Sequence, residues 1–147
     1  MPSVNRHVPL LFRMGERYLN QALAGTGLTS GTAPLLLELR DGGDRHPAAL
    51  AHAVGVNKAH VTRSLRLLSR DGYVDVRPDP SDGRMLRVSL TDTGRAAADA
   101  TERAIRTWLT IVSDGVAPAD LRVIDRVLDA FYANAVRHFA GPRGDTT

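Results

Sequence analysis

The chain has 147 residues, of which 43% are hydrophobic and 24% are charged, and its formal net charge at pH 7 is +3. These values lie close to the globular averages, which excludes a disordered or low-complexity chain, and the length suits one ordinary domain, with or without a dimerisation appendage. No cysteine is present, so disulfides, thiolate metal sites and cysteine-based redox sensing are excluded.

The apolar runs of the sequence are short. The longest, such as residues 8–12, fall far below the roughly 20 residues that a membrane helix needs. Residues 1–13 also lack the long apolar stretch and small-residue cleavage site of a signal peptide. The sequence therefore predicts no membrane partner and a cytoplasmic location.

The basic residues are more informative in their positions than in their total. All but one of the 19 basic residues are arginine, which GC-rich coding explains as well as function does. The segment 57–70, however, contains Lys58, Arg63, Arg66 and Arg70 and no acidic residue. Such a local basic cluster is typical of a surface that meets nucleic acid.

Four helices are predicted in the first half of the chain. Apolar residues at helical spacing predict a helix over residues 5–24, with Pro9 in its first turn, where a missing N–H costs little. Thr29 or Ser30 is expected to cap a second helix over residues 32–40, which ends at the glycine-rich break 41–44. A short helix over residues 47–54 and a longer one over 58–70, capped by Asn57, follow.

The second half begins with a predicted β-hairpin. Residues 73–77 and 85–90 alternate in character and are rich in β-forming residues, and the segment between them is dense in turn formers. Thr91 is expected to cap a helix that extends to about residue 112, with Asp92 at its positive end. A last helix is predicted from Pro118 to about residue 139, so the fold class is mainly α with one hairpin.

The helices over 47–54 and 58–70, with a glycine-containing turn between them, form a candidate helix-turn-helix. On a helical wheel the second helix has a buried stripe of Val61, Leu65 and Leu68. The opposite face carries a small residue, a hydroxyl and two guanidiniums, from Ala59, Thr62, Arg63 and Arg66. Because arginine reads guanine bidentately, this face suits the DNA major groove, although a merely solvated arginine face is the alternative.

The hairpin that follows supplies a basic loop. Arg77 and Arg84 are its cations, and an arginine at the tip of a narrow loop can enter a minor groove. Asp82 stands two residues before Arg84 and is expected to orient its guanidinium by a charge-assisted hydrogen bond. Asp79 and Asp82 are interpreted as turn and buttress residues rather than as a catalytic pair. An ordinary surface ion pair is the alternative reading of this loop.

With these elements in place, the sequence resembles the MarR family of bacterial transcription regulators. The segment Asp82-Gly83-Arg84, followed after five residues by Leu90-Thr91, fits the family's wing pattern D-x-R-x5-L-T. Residues 61–65, 71–74 and 91–94 support the match, and the resemblance extends over about residues 5–140.

The resemblance implies a single domain over residues 1–147: a winged helix-turn-helix lobe over about 29–91, with dimerisation helices over about 5–24 and 92–140. It further implies a homodimer that acts as a repressor on a pseudo-palindromic operator in double-stranded DNA. The recognition helix would enter the major groove and the wing the minor groove. The expected DNA-contacting residues are Lys58, Ala59, His60, Thr62, Arg63, Arg66, Arg77, Asp82 and Arg84, with Lys58 on phosphate and Asp82 acting through Arg84.

The resemblance also implies a small ligand, because members of this family are often released from DNA by small, frequently anionic aromatic molecules. Such ligands are held between the dimerisation helices and the winged helix, where Arg13, Arg17 and Tyr18 would line the cleft. The alternative is that Tyr18 belongs to the core and the two arginines lie on the surface. The family's peroxide sensors use a cysteine, which this chain lacks.

No motif indicates a metal, a cofactor or catalysis. The five histidines show no chelating spacing, although a zinc site assembled from distant residues stays open, and no common hydrolase, zinc-protease or nucleotide-binding motif occurs. The alternative function is a winged-helix module for protein–protein interaction. The acid-free face of residues 57–70 favours DNA, since docking surfaces for proteins are more often aromatic or aliphatic.

Overall fold

The computed structural model describes residues 2–140, with side chains from residue 3 to residue 139. Residue 1 and residues 141–147, the ends of the predicted domain, lie outside the described residues. The elements are α1 (Pro2–Ala22), α2 (Ala33–Gly42), α3 (Pro47–Val54), α4 (Lys58–Arg70), β1 (Val74–Pro78), β2 (Leu86–Leu90), α5 (Asp92–Val112) and α6 (Pro118–Ala140). This order confirms the predicted mainly helical fold with one hairpin.

The chain divides into two compact units, one ending at Leu109 and the other beginning at Thr110. The first unit holds α1–α4, the hairpin and most of α5, and the second holds the end of α5 and α6. All the proposed DNA-contacting residues belong to the first unit. No helix within residues 2–140 is both long enough and apolar enough to cross a membrane.

Two helix starts differ from the prediction. Helix α1 begins at Pro2, so Pro9 lies inside the helix rather than in its first turn and leaves one i→i−4 hydrogen bond unmade. Helix α2 begins at Ala33 with Thr32 at the N-cap position, not Thr29 or Ser30. The Thr29 carbonyl instead accepts the Ala33 N–H at 2.9 Å, in a turn that leads into the helix. Apolar spacing with Pro9 therefore placed the start of α1 wrongly, and local cap chemistry assigned the wrong N-cap to α2.

The core of the first unit lies between α2, α3, α4 and the hairpin. Its fully buried large aliphatic side chains are Leu35, Leu36, Leu50, Val61, Leu68, Val74 and Val88. Each buried aliphatic side chain of this kind contributes about 1.5–3 kcal/mol relative to exposure. Because α4 supplies two of them from one stripe, its opposite face is directed outward.

The hairpin is held to the helices at its base. Strands β1 and β2 pair antiparallel, with Val76 opposite Val88 and Pro78 opposite Leu86. The segment between α2 and α3 adds a bridge, in which the Arg45 N–H donates to the Val88 carbonyl at 3.0 Å and the Val88 N–H returns the bond at 2.8 Å. The base of the hairpin is therefore anchored while its loop projects away from it.

Helix α2 is tied to α5 by a cluster of charges around Arg40. Its guanidinium contacts Asp41 at 2.8 Å, Asp99 at 3.1 Å and Glu102 at 2.8 Å. These hydrogen bonds, with Asp41 the largest influence, raise the pKa of Arg40. Hydrogen bonds from Arg106 and Arg40 lower the pKa of Glu102, which favours the charged form of that carboxylate between α2 and α5.

Helices α1, α5 and α6 leave apolar side chains uncovered in the single chain; on α5 these are Leu109, Ile111 and Val112. On α1 these are Val8, Leu10, Leu11, Phe12 and Met14, with Phe12 67% exposed. On α6 they are Val123, Ile124, Val127, Leu128, Phe131, Tyr132, Val136 and Phe139. Exposed apolar surface of this extent is typical of a protein–protein interface.

Candidate nucleic-acid interface

The turn between α3 and α4 fixes where α4 begins. Gly55 ends α3 in the left-handed conformation with φ of 73°, which glycine adopts without steric cost. Asn57 then caps α4, because its Oδ1 accepts the His60 backbone N–H at 2.8 Å. The predicted cap and both predicted helix spans are confirmed.

The outward face of α4 carries the residues that the sequence singled out. Lys58, Ala59, Thr62, Arg63 and Arg66 are all exposed, whereas Val61, Ser64, Leu65 and Leu68 are buried. Within the described part of the chain, the two guanidiniums and the Lys58 ammonium form no ion pair. Their hydrogen-bond donors are therefore free for a ligand that offers acceptors.

Thr62 is already engaged inside its own helix. Its hydroxyl donates to the Lys58 carbonyl at 2.9 Å. The hydroxyl oxygen keeps lone pairs that can accept from an external donor. Thr62 is therefore suited to accept from a base amino group rather than to donate to a phosphate.

His60 does not share the outward face. It is half-buried, and its Nε2 donates to the Gly31 carbonyl at 3.0 Å, on the turn before α2. Although His60 was predicted among the DNA contacts, the structure directs it toward the body of the first unit. On a helical wheel His60 falls off the centre of that face, and this angle is the sequence signal that argues against a DNA contact.

The loop of the hairpin is organised by Asp79. This carboxylate is buried and accepts from the Ser81 N–H at 2.8 Å and from the Ser81 hydroxyl at 2.5 Å. The Ser81 hydroxyl is the largest cause of the lowered pKa of Asp79, followed by the Ser81 N–H. His46 lies on the same side, with Nε2 at 3.5 Å from Asp79 and Nδ1 donating to the Leu86 carbonyl at 2.8 Å. The predicted turn role of Asp79 is confirmed.

Asp82 also holds the loop, but not in the expected way. Its carboxylate accepts the Arg84 backbone N–H at 3.1 Å rather than the Arg84 guanidinium. A short aspartate side chain readily bonds the backbone two residues ahead, and that local bond wins over the ion pair. Asp82 therefore shapes the loop, and the exposed Arg84 side chain, which has no acidic partner among the described residues, projects from it.

Arg77 is a weaker candidate than Arg84. It is exposed, and its guanidinium lies 3.4 Å from Asp75 on the same strand. The acid offsets part of the positive charge at this edge of the hairpin. The structure thus separates a free cation at the loop from a partly neutralised one on the strand.

A groove that sequence reasoning missed runs between α4 and the hairpin. We call it the wing groove. It has a volume of about 300 Å³ and is lined by Pro47, Thr62, Leu65, Arg66, Ser69, Val76 and Leu86. The sequence signal for this groove was strand alternation, which places Leu86 on the same strand face as Val88 and Leu90. In the structure Val88 and Leu90 are buried, whereas Leu86 is 48% exposed.

A second cavity lies between α1 and α5, within the first unit. Its volume is about 360 Å³, and its lining is mostly apolar and aromatic: Leu11, Phe12, Gly15, Glu16, Tyr18, Leu19, Ser30, Ala104, Ile105 and Trp108. The rings of Tyr18 and Trp108 lie 5.5 Å apart. Tyr18 lines this cavity, and its contact with a ligand stays a prediction, whereas Arg13 and Arg17 are exposed and do not line the cavity. Arg13 and Arg17 lie at other angles of the α1 helix than Tyr18, so their side chains point away from the cavity.

Within residues 2–140 no group of three or more histidine, aspartate or glutamate side chains is placed to hold an ion.

Comparison with known proteins gives consistent matches over the same region. Residues 26–85 match the model of the MarR family. The repressor YetL of Bacillus subtilis is 39% identical over 75 residues, which is 50% of this chain and 45% of YetL. In matches of this kind the chain spans about half the length of the curated relatives.

Solved structures share the fold over a longer stretch. A MarR transcriptional regulator from Methanosarcina mazei Go1 aligns over 93% of this chain and 99% of its own, with a TM-score of 0.86 and 23% identity. A mutant MarR from E. coli, complexed with operator DNA, aligns over 87% of this chain and 92% of its own, with a TM-score of 0.78 and 21% identity. At these identities the likeness establishes the winged-helix fold.

Proposed function

This chain is a winged-helix protein of the MarR family, and from that premise we propose that it represses transcription by binding duplex DNA as a homodimer. The observation that carries the proposal is the outward face of α4. There Lys58, Arg63 and Arg66 stand free of ion pairs within the described residues, next to a loop that projects the equally free Arg84. An acid-free array of this kind suits a polyanion.

Each side chain has a distinct proposed role. Arg63 and Arg66 read base edges in the major groove, where a guanidinium pairs bidentately with guanine. Ala59 offers a methyl contact there, and Thr62 accepts from a base. Lys58 binds phosphate at the start of the helix.

The hairpin contributes at the neighbouring groove. Arg84 enters the minor groove, where the negative potential of the duplex attracts arginine. Arg77, partly neutralised by Asp75, adds a weaker phosphate contact. His60 and Asp82 act indirectly, by holding α4 and the loop in position.

The proposed assembly is a two-fold dimer. The exposed apolar residues of α1 and α6 supply surface that a second copy would cover. A two-fold axis presents two copies of α4 to half-sites about one helical turn, roughly 34–36 Å, apart, so the operator would be pseudo-palindromic.

A small ligand is the proposed means of release, bound in the cavity between α1 and α5. The lining is aromatic and apolar, and its one ionisable acid is Glu16. A neutral or cationic aromatic molecule therefore suits the cavity better than the anion that the sequence led us to expect. Since Ser30 lines the cavity and Gly31 binds His60 of α4, a ligand there adjoins the recognition helix.

Binding to DNA across a salt series tests the proposal. The purified protein is titrated onto a duplex selected from random sequence and onto an unselected duplex, from about 50 to 200 mM salt. We expect a dissociation constant near 10⁻⁸ M or below for the selected duplex, at least about 10³-fold tighter than for the unselected one, with a steep salt slope. Weak binding that ignores sequence would overturn the proposal and favour a protein-docking module.

A further inference from the structure

The wing groove has an apolar floor beside a basic surface. Leu65, Val76, Leu86 and Pro47 form the apolar part, and the polar atoms come from Thr62, Arg66 and Ser69 along α4. Leu86 is 48% exposed. An apolar floor that is open to solvent gains free energy when an apolar part of a ligand covers it.

The position of the wing groove between α4 and the hairpin indicates which part of a bound duplex would lie in it. In any duplex, a major groove is separated from the adjacent minor groove by one sugar–phosphate strand. If α4 enters the major groove and Arg84 enters the adjacent minor groove, the strand between these two DNA grooves must cross the protein surface between α4 and the hairpin loop. That surface is the wing groove. This step rests on the proposed function and commits the groove to one occupant.

We propose that the wing groove binds the deoxyribose of this strand and thereby selects DNA over RNA. The C2′ methylene of the sugar packs on Leu86 and Val76, and a flanking phosphate takes a hydrogen bond from the Ser69 hydroxyl, while Arg66 stays on the base edges of the major groove. A ribose at the same place would bring its 2′-hydroxyl, a donor and an acceptor, against leucine and valine. Burial of that hydroxyl without a partner disfavours the ribose.

Single ribonucleotides placed along the selected duplex test the inference. Each nucleotide of both strands is replaced in turn by its ribonucleotide, and the affinity of the full-length protein is measured. We expect a loss of about tenfold at one or two nucleotides of each half-site, on the strand between the two grooves, and little change elsewhere.

Leu86→Asn links any such loss to the groove. The asparagine amide can form a hydrogen bond with a 2′-hydroxyl, so we expect a several-fold weaker affinity for all-deoxy DNA. The ribose penalty, which is the factor by which one ribonucleotide weakens binding, should fall toward one. Leu67→Asn is the matched control, because Leu67 is an exposed leucine of α4, 42% exposed, that does not line the groove. Leu86→Met, which keeps an apolar side chain, should retain the penalty.

The outcomes separate the inference from its premise. If the all-deoxy duplex is not bound specifically, the proposed function itself fails before the scan begins. If it is bound but the ribose penalty is uniform along the duplex, or is unchanged in Leu86→Asn, the groove holds something other than the sugar and the inference is wrong. A circular-dichroism melt of each variant ensures that a loss reflects the surface and not unfolding.

Discussion

The α-carbon of Gly94 lies directly against the carbonyl oxygen of Tyr73, so that a β-carbon built on Gly94 would stand only 1.9 Å from that oxygen. This contact lies where the hairpin ends and α5 begins. Thr91 bonds the same carbonyl at 3.1 Å and accepts the Gly94 N–H at 2.9 Å. The first turn of α5 therefore packs against the backbone just before β1 so closely that no side chain fits at position 94.

Gly94→Ala should consequently destabilise the first unit. The added methyl group must displace backbone, for which we expect a loss of about 1–3 kcal/mol in the free energy of unfolding, measured in urea. Gly83→Ala is the control, because nothing lies within 4 Å of a β-carbon there. Equal stability of the two variants would show that the junction relaxes freely.

The parts of the fold that sequence predicted well are those set by local chemistry and periodicity. Asn57 was identified as a cap, and the outward face of α4 followed from the 3.6-residue period, because both depend on neighbours within one helix turn. His60 and the wing groove were missed or misjudged because they depend on contacts between distant segments. The Gly31 carbonyl and the Leu86 side chain reach α4 only through the tertiary fold.

The pair Asp82 and Arg84 shows a different limit. Sequence reasoning recognised that the two residues interact but assigned the wrong donor, since the spacing i, i+2 suits both an ion pair and a backbone bond. Only the geometry of the turn distinguishes them, and it favours the backbone N–H.

Arg84→Ala should weaken binding to the selected duplex without dissociating the proposed dimer. The Arg84 side chain leaves no acid unpaired when it is removed, so we expect a loss of about 1–3 kcal/mol in binding and little change in folding. Arg95→Ala removes the same charge from α5, where Arg95 lies 3.6 Å from Asp92, and serves as the control. Equal losses in the two variants would mean that net charge, and not the wing, determines affinity.

Two substitutions on α4 should separate base reading from phosphate binding. Arg63→Ala is expected to relax sequence choice at one base pair per half-site, by about 1–3 kcal/mol. Lys58→Ala is expected to weaken all duplexes alike and to lower the salt slope by about one for each protomer. Selection of binding sequences with each variant, with affinities over a salt series, measures both effects. A uniform loss with Arg63→Ala would place that guanidinium on phosphate.

The hydrogen bonds from Ser81 make the hairpin loop sensitive to acid. They lower the pKa of Asp79, so their stabilisation is fully present above the unfolded pKa of about 3.9 and is lost as the pH falls through the folded value. Ser81→Ala should therefore be less stable than the parent at pH 7, and this difference should shrink below about pH 4. Urea unfolding between pH 7 and pH 2.5 gives the comparison.

Thr107→Ala is the control for that series. The Thr107 hydroxyl donates to the Arg103 carbonyl at 2.9 Å and involves no carboxylate, so its effect should stay constant with pH. If the difference in the free energy of unfolding between Ser81→Ala and the parent also stays constant with pH, the stability of the loop is not linked to the ionisation of Asp79.

The cavity between α1 and α5 can be monitored through Trp108, which lines it and is the one tryptophan of the chain. We expect a neutral aromatic amide to change Trp108 fluorescence at lower concentration than the matching aromatic carboxylate, because the Glu16 carboxylate repels an anion in the same cavity. Glu16→Gln should raise the affinity for the carboxylate by about tenfold, as for like charges roughly 10 Å apart at an effective dielectric constant of about 20. Arg17→Gln should leave both affinities unchanged, since Arg17 lies off the lining. A marked loss of carboxylate binding with Arg17→Gln would instead support the anionic ligand that the sequence suggested.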